Sequence, residues 1–502
     1  MKLLDKRAGG VLMHISSLPG NTGIGTLGRY AYAFVDSLAK HGQTYWQMLP
    51  VCPTSYGDSP YQSFSTFAGN PYFIDFELLE QDGLLDRADW QDMDWGSDPH
   101  CIDYGLLYTE RHKVFAKVQA RFRQHIPADF DAFCTAHAFW LDDYALFMAV
   151  KDAHGGTSFS EWERDIRLRL PEAVRRWTDR CADRIQYYKM LQYLFFTQWH
   201  ALKRYANERG IRIIGDMPIY VALDSSDVWT NPELFALHDD LTPVEVAGCP
   251  PDAFSADGQL WGNPVYDWDY HAGTGYAWWK KRISECLKTF DVIRIDHFRG
   301  FDEYYCIPFG APNAKGGVWR RGPGAALFAR IKNEFGDVNI IAEDLGYLTD
   351  SVKQMLKDVG FPGMKILQFA FDSREASNYI PYLYGRNSVV YTGTHDNDTI
   401  LGWAQTARPE DVAFAKAYLR AETDEELRTE MLLCALSSVA NTCILCMQDI
   451  IGLGSDARMN TPSTVGTNWK WRADESQLTD RTFAFLGRYT ALYGRARTAP
   501  SP

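Results

Sequence analysis

No stretch of this sequence approaches the roughly 18 consecutive apolar residues of a membrane span. The first ten residues, Met1 to Gly10, lack the apolar segment of a secretory signal, so export is not expected. There is no GxxxxGK[ST] phosphate loop, no HExxH zinc motif, no internal repeat and no low-complexity tract. Basic residues never run to five or six together, and the net charge is −13. Nucleic acid needs a basic face, so it is not an expected partner. The ten cysteines lie far apart, and only Cys443 and Cys446 form a CxxC. With no second pair and no accompanying histidines, these two read as half-buried thiols in an apolar strand. The pattern fits reduced thiols in a cytoplasmic protein.

What is present is ordinary globular material with an aromatic surplus. At 502 residues, 46% hydrophobic and 23% charged, the chain can build one large domain with insertions or two to three domains. Aromatics reach 14%, including 16 Trp and 27 Tyr. Most belong in a core, but flat rings also stack on the apolar faces of sugars.

Eight short, nearly continuous apolar runs predict strands buried on both faces. They cover residues 10–15, 45–51, 211–216, 292–297, 340–345, 364–371, 389–394 and 442–449. Helical patterns separate them: 30–40, a long segment 178–209, 325–335, a segment capped by Thr349 and stopped by Gly360, and one or two helices in 409–439. Alternation of strand and helix predicts a parallel sheet. Eight alternations favour an α/β fold of the (β/α)8 TIM-barrel type, with an open doubly wound sheet as the alternative. Residues 52–177 and 217–285 are too long for ordinary connections. They predict large insertions after the second and third strands, the first mainly helical. About fifty residues follow the eighth run, too few for a C-terminal β-sandwich domain.

Acidic residues punctuate the runs. Asp216, Asp296, Glu343 and Asp396 each stand at or just beyond a C-terminal strand end, where barrels gather functional groups. Such carboxylates cost folding energy unless they are paired. Strand alternation puts Arg294 and Asp296 on one face, where the Arg can hold the Asp ionised as a nucleophile. Apolar neighbours Ile340, Ile341 and Leu345 would raise the Glu343 pKa, as suits a general acid. Two carboxyls separated by environment in this way cleave glycosidic bonds, and in retaining enzymes they lie about 5–5.5 Å apart. Asp396 would stabilise the cationic transition state, and His297 and His395 could bind hydroxyls. Taken singly, each motif has a bland reading, such as an ion pair, a cap or a turn. Together they favour catalysis. Gly23, Gly25 and Gly28 form a GxGxxG, but Ser16–Gly20 separates it from the strand and no acid ends the next run. A tight loop is preferred there to a dinucleotide turn.

The motifs Arg294–Gly300, Ala342–Gly346 and Thr394–Asp398 resemble those of the 4-α-glucanotransferases, the amylomaltases or disproportionating enzymes of glycoside hydrolase family 77 in the α-amylase clan. Further matches are His14–Gly20, Ser59–Ser63, Gly215–Ile219, Gly258–Pro264 and Arg458–Pro462. The resemblance implies Asp296 as nucleophile, Glu343 as acid/base and Asp396 as transition-state stabiliser. Arg294, Tyr61, Asp216, Gln259, Trp261, His297, His395 and Asn460 would bind substrate, and residues 250–264 would cover it. It also implies α-1,4-glucans with glucose as acceptor and no cofactor; no metal and no membrane or nucleic-acid partner is expected, and the chain is expected to be a monomer or small homo-oligomer. A maltodextrin hydrolase and a non-enzymatic glycan binder are the alternatives.

Overall fold

The structure is a computed structural model that describes residues 3–55, 57–251, 256–346, 348–374 and 377–497. Among these residues there are twelve strands: β1 (Ala8–Leu12), β2 (Tyr45–Gln47), β3 (Arg212–Pro218), β4 (Glu245–Cys249), β5 (Gln259–Pro264), β6 (Val292–Asp296), β7 (Glu303–Pro308), β8 (Val318–Arg321), β9 (Ile340–Ala342), β10 (Gly363–Ile366), β11 (Ser388–Tyr391) and β12 (Thr442–Cys446). Eight of them close a barrel in the order β1-β12-β11-β10-β9-β6-β3-β2, every pair parallel. These eight are the eight apolar runs. Closure rests on β1, which pairs Gly10 with Tyr45 on one side and with Ile444 on the other. A Cβ at Gly10 would lie 2.5 Å from the Tyr45 Cβ and 2.8 Å from Ile444. Only glycine lets the first and last strands approach this closely.

Helices stop where the sequence says they should. One runs Ala325–Phe335; another runs Asp350–Val359, with Thr349 accepting from the Val352 N–H and Gly360 in the left-handed conformation at its end. Several runs are shorter as strands than as apolar segments. Leu367–Phe371 becomes a 3-10 turn and Met447–Ile451 a helix. Side chains past the barrel's top no longer have a neighbouring strand to pair with, although they stay buried. The predicted helix 178–209 is divided at Cys181 into Pro171–Arg180 and Ala182–Glu208. Cys443 and Cys446 are buried rather than half-buried, because β12 is covered on both faces.

Residues 52–177 carry the helices Phe76–Gln81, Tyr104–Phe122, Phe130–Ala153 and Pro171–Arg180. Residues 217–285 contain β4 and β5, which join β7 and β8 in a four-stranded antiparallel sheet of order β5-β4-β7-β8. Since β7 and β8 follow the fourth barrel strand, part of this sheet comes from a connection that looked ordinary in sequence. Val246, Tyr305, Ile307 and Ala314 form a small core of its own. Among the described residues no sheet follows β12, and the last helix is Asp480–Leu492, whose Phe483 and Leu486 join the main core. The GxGxxG segment is packing. A Cβ would meet the Ile15 carbonyl oxygen at 1.9 Å from Gly25, and the Asp75 carboxylate at 2.0 Å from Gly28.

Candidate active site

The site grows from the C-terminal ends of β3, β6, β9 and β11. The β6–β9 register pairs Arg294 with Ile341 and Ile295 with Ala342, so Asp296 and Glu343 are the next residues across the ladder. The Glu343 N–H donates to the Ile295 carbonyl at 3.0 Å, continuing that register past the strand end. On the other side, β3 pairs Asp216 with Arg294. Adjacent parallel strands about 4.8 Å apart thus bring Asp216, Arg294, Asp296 and Glu343 into one cluster.

Within it, Arg294 Nη1 donates to Asp216 Oδ1 at 2.8 Å and Oδ2 at 2.6 Å, and lies 3.0 Å from Asp296 Oδ1. The sequence led us to expect an Arg294–Asp296 pair. The structure adds Asp216 as the nearer partner, because a guanidinium on the middle strand reaches the carboxylates of both its own strand and the next. Arg294 and Asp216 are buried, whereas the Asp296 side chain is 30% exposed and open to the cleft. Burial raises the Asp216 pKa and the Arg294 guanidinium opposes that shift. Tyr61 Oη donates to Asp216 Oδ2 at 2.8 Å.

Glu343 keeps some accessible surface, but it sits deep enough for burial to be the main influence on its carboxyl. Burial first, and then the charge of Asp296, push its pKa up to about 8, against Arg294 and two backbone hydrogen bonds that lower it. Those bonds come from the His297 N–H to Oε2 and the Leu345 N–H to Oε1, both 2.7 Å. The His297 backbone that offers this N–H is left-handed, at φ 55°, a conformation uncommon outside glycine. The His297 ring lies 4.9 Å from Trp261 in an edge-to-face contact. Its Nε2 is buried without a hydrogen-bond partner among the described residues, and burial lowers its pKa to about 4. The ring is therefore neutral and has a polar atom to spare.

Asp396 arrives differently. It stands five residues beyond the end of β11, in a loop pinned where Asn397 Oδ1 accepts from the Thr394 N–H and hydroxyl, at 2.9 and 3.0 Å. Asn460 Nδ2 donates to Asp396 Oδ1 at 2.6 Å, and Arg458 Nη2 donates to the Asp396 carbonyl at 2.6 Å. Its side chain is 46% exposed, so this carboxylate is not the buried strand-end group expected from the apolar run. His395 Nε2 lies 3.5 Å from Asp396 Oδ2, and its Nδ1 is 3.4 Å from Tyr61 Oη. The Tyr61 and His395 rings stack with centroids 5.0 Å apart.

On β5, Trp261 Nε1 donates to Gln259 Oε1 at 3.0 Å. Gln62 Nε2 bonds Asn263 Oδ1 at 3.1 Å and so ties the Tyr61 loop to this strand. Of the segment 250–264, residues 252–255 lie outside the described residues. Hydrogen bonds, ion pairs and ring contacts join Asp216, Arg294, Asp296, Tyr61, His395, Asp396 and Asn460 in one set, and Glu343, His297, Trp261 and Gln259 in a second; the two sets meet at the adjacent positions Asp296 and His297. Two supporting residues were missed. Arg458 braces both Asp396 and Asn460, and it opens the Arg458–Pro462 motif two positions before Asn460. Trp469, packed 5.7 and 5.8 Å from Tyr61 and His395, carried no sequence signal. Among the described residues no group of three or more His, Cys, Asp or Glu is arranged to hold a metal ion. No helix among them is long and apolar enough to cross a membrane.

Comparison with known proteins gives the chain its family. The model of the 4-alpha-glucanotransferase family matches residues 13–478. A 4-alpha-glucanotransferase from Clostridium butyricum is 49% identical over 485 residues, 96% of this chain and all of the relative. One from Streptococcus pneumoniae is 47% identical over 495 residues, 98% of each chain. The structure of an amylomaltase from Streptococcus agalactiae, solved in complex with acarbose, superposes with a TM-score of 0.95 at 46% identity, covering 98% of this chain and 100% of that one. The chain belongs to the 4-alpha-glucanotransferase family.

Proposed function

We propose that this enzyme moves α-1,4-glucan segments from a donor maltodextrin to the 4-hydroxyl of an acceptor glucan or glucose, through a covalent glycosyl intermediate on Asp296. In the first half-reaction an Asp296 oxygen attacks the anomeric carbon as the bond to the leaving O4 breaks. Glu343 gives its proton to that oxygen. In the second, the Glu343 carboxylate takes the proton of the acceptor's 4-hydroxyl. The acceptor oxygen then bonds to the anomeric carbon and Asp296 departs, so configuration is retained.

The observation that carries this reading is the contrast between neighbours. Asp296 sits beside a guanidinium and open to the cleft, whereas burial pushes Glu343 up to about 8, which keeps it protonated at neutral pH. Asp396, held by Asn460, would stabilise the oxocarbenium-like transition state and bind sugar hydroxyls. Asp216 and Arg294 would hold Asp296 in place. Tyr61, stacked on His395, offers an apolar ring face to a bound sugar, and Trp261, Gln259 and the segment 250–264 would wall the cleft. The His297 Nε2 is suited to a sugar hydroxyl. The ten free thiols fit a reducing, cytoplasmic setting, and a monomer or small homo-oligomer completes the proposal.

A hydrolase would bring water in the second half-reaction, so the distinction is one of transition-state affinity. Maltotriose decides it. Transfer yields glucose and longer chains at a constant number of reducing ends; a steady rise in reducing ends would overturn the proposal.

A further inference from the structure

The 3-10 turn Leu367–Phe371 leads out from β10 on the face of the barrel that carries Glu343 and Asp396. Its last residue, Phe371, is buried under two rings of the helix Pro409–Leu419: Phe414, 5.9 Å away, and Tyr418, 5.7 Å away. Those two rings are 6.3 Å apart and stand one helical turn from each other. They are 38% and 37% exposed. Beside them the turn Pro381–Leu383 holds out Tyr382 at 75% exposure and Leu383 at 55%. Tyr382 is near enough to Tyr418 for the two phenols to influence each other. Four large apolar or aromatic side chains thus share one exposed place, a concentration that marks an interaction surface.

A chain of contacts joins this place to the cleft. Tyr379 lies within electrostatic reach of Glu343. Its ring packs edge-on against Phe369, 5.5 Å away, and Phe369 is two residues before Phe371. The surface is therefore joined to the Glu343 side of the site through Tyr379, Phe369 and Phe371.

Resting on the glucan reading given above, we propose that Tyr382, Leu383, Phe414 and Tyr418 form a second glucan-docking platform, which holds a stretch of a long α-1,4-glucan outside the catalytic cleft. Aromatic faces meet the apolar faces of glucose units, and the two phenol hydroxyls can bond sugar hydroxyls. A second copy of the chain fits less well. A stable protein interface buries roughly 1,200–2,000 Å² in total, far more than four side chains offer. A neutral polysaccharide asks only for rings and hydroxyls. The platform would raise the local concentration of long chains without altering the chemistry.

The test is the double substitution Tyr382→Ser and Tyr418→Ser, made at exposed positions that lie outside the catalytic cluster. Wild type and variant are compared by migration through amylose-containing gels, by transfer kinetics on amylose and on maltotriose, and by sedimentation. The variant should lose its retardation by amylose and show a KM for amylose raised about tenfold, roughly the loss of two stacking contacts. Its maltotriose kinetics should stay within about twofold of wild type, since so short a chain cannot fill the cleft and reach the platform at once. Unchanged amylose retardation and KM would overturn the platform. So would an equal fall on maltotriose, which would make these residues part of the fold or cleft, or loss of a wild-type dimer with amylose kinetics intact. Failure of the transferase reading is separate, since it shows in the wild type on maltotriose alone.

Discussion

At the scale of single residues, the proposed chemistry depends on how one environment treats two carboxyls. Asp296→Asn should abolish measurable transfer while leaving the fold intact, as checked by activity and by circular dichroism. Glu343→Gln should lose transfer from maltotriose, whose leaving group needs a proton. It should keep glycosylation by α-maltosyl fluoride, whose leaving group does not. Fluoride release separates these outcomes. On the proposed mechanism the wild-type rate should fall as pH rises through about 8, as Glu343 loses the proton assigned to it. The same shift has a stability consequence. The Glu343 pKa is raised from 4.5 in its reference state to about 8 in the folded protein, so folding takes up a proton between those values. The stability contributed by the protonated carboxyl is complete below about 4.5 and is lost as pH rises to about 8. Glu343→Gln removes this dependence. Its melting temperature relative to wild type should therefore climb between pH 4.5 and 8, and calorimetry across that range checks the sign.

At the scale of elements, the site is three neighbouring strands with a cation on the middle one. Arg294 on β6 reaches Asp216 on β3 and Asp296 on its own strand, and it is buried. Arg294→Met leaves the Asp216 carboxylate buried with only Tyr61 as a donor among the partners described above. Breaking a buried pair from one side costs about 3–5 kcal/mol, so denaturant unfolding should show a loss of that order. Adding Asp216→Leu removes the orphaned charge. It should restore much of the stability and none of the activity, since Asp296 still lacks its partner. A double variant as unstable as the single one would show that Arg294 contributes by packing rather than by charge. The strands themselves were legible as apolar runs, because a strand buried on both faces has no polar face to interrupt the pattern. The pairing of Arg294 with Asp216 was not legible, because it depends on the lateral register between strands 78 positions apart. The sheet formed by β4, β5, β7 and β8 was also hidden. Its last strand, β8, is exposed along its whole length and reads as an ordinary polar connection.

At the scale of the whole molecule, a net charge of −13 surrounds a cleft meant for an uncharged substrate. Screening long-range charge then has little to act on. The KM for maltotriose should change by less than about twofold between low salt and roughly 0.5 M salt, where the Debye length is only a few ångströms. A large salt dependence would point to a charged ligand. Closure of the barrel works at the same scale. Gly10 lets β1 sit between Tyr45 and Ile444, and closure brings β12 and its following residues back beside the first strand. The direct pairing of β11 with β12 brings Asn460 and Arg458 to Asp396 from a segment more than sixty positions away.

The sequence by itself determined the eight barrel strands, the helix ends at Thr349 and Gly360, and the acids Asp296 and Glu343 at the ends of β6 and β9, because each is written in local periodicity or in a short motif. Tertiary structure alone decided which groups the acids meet. Glu343 is pushed to about 8 by burial and by Asp296, and it takes two backbone hydrogen bonds, one of them through the left-handed turn at His297. Asp396 is held from the far end of the chain by Asn460. Such pairings are set by which strands lie side by side and in what register, and these depend on how whole strands pack rather than on any one stretch of residues.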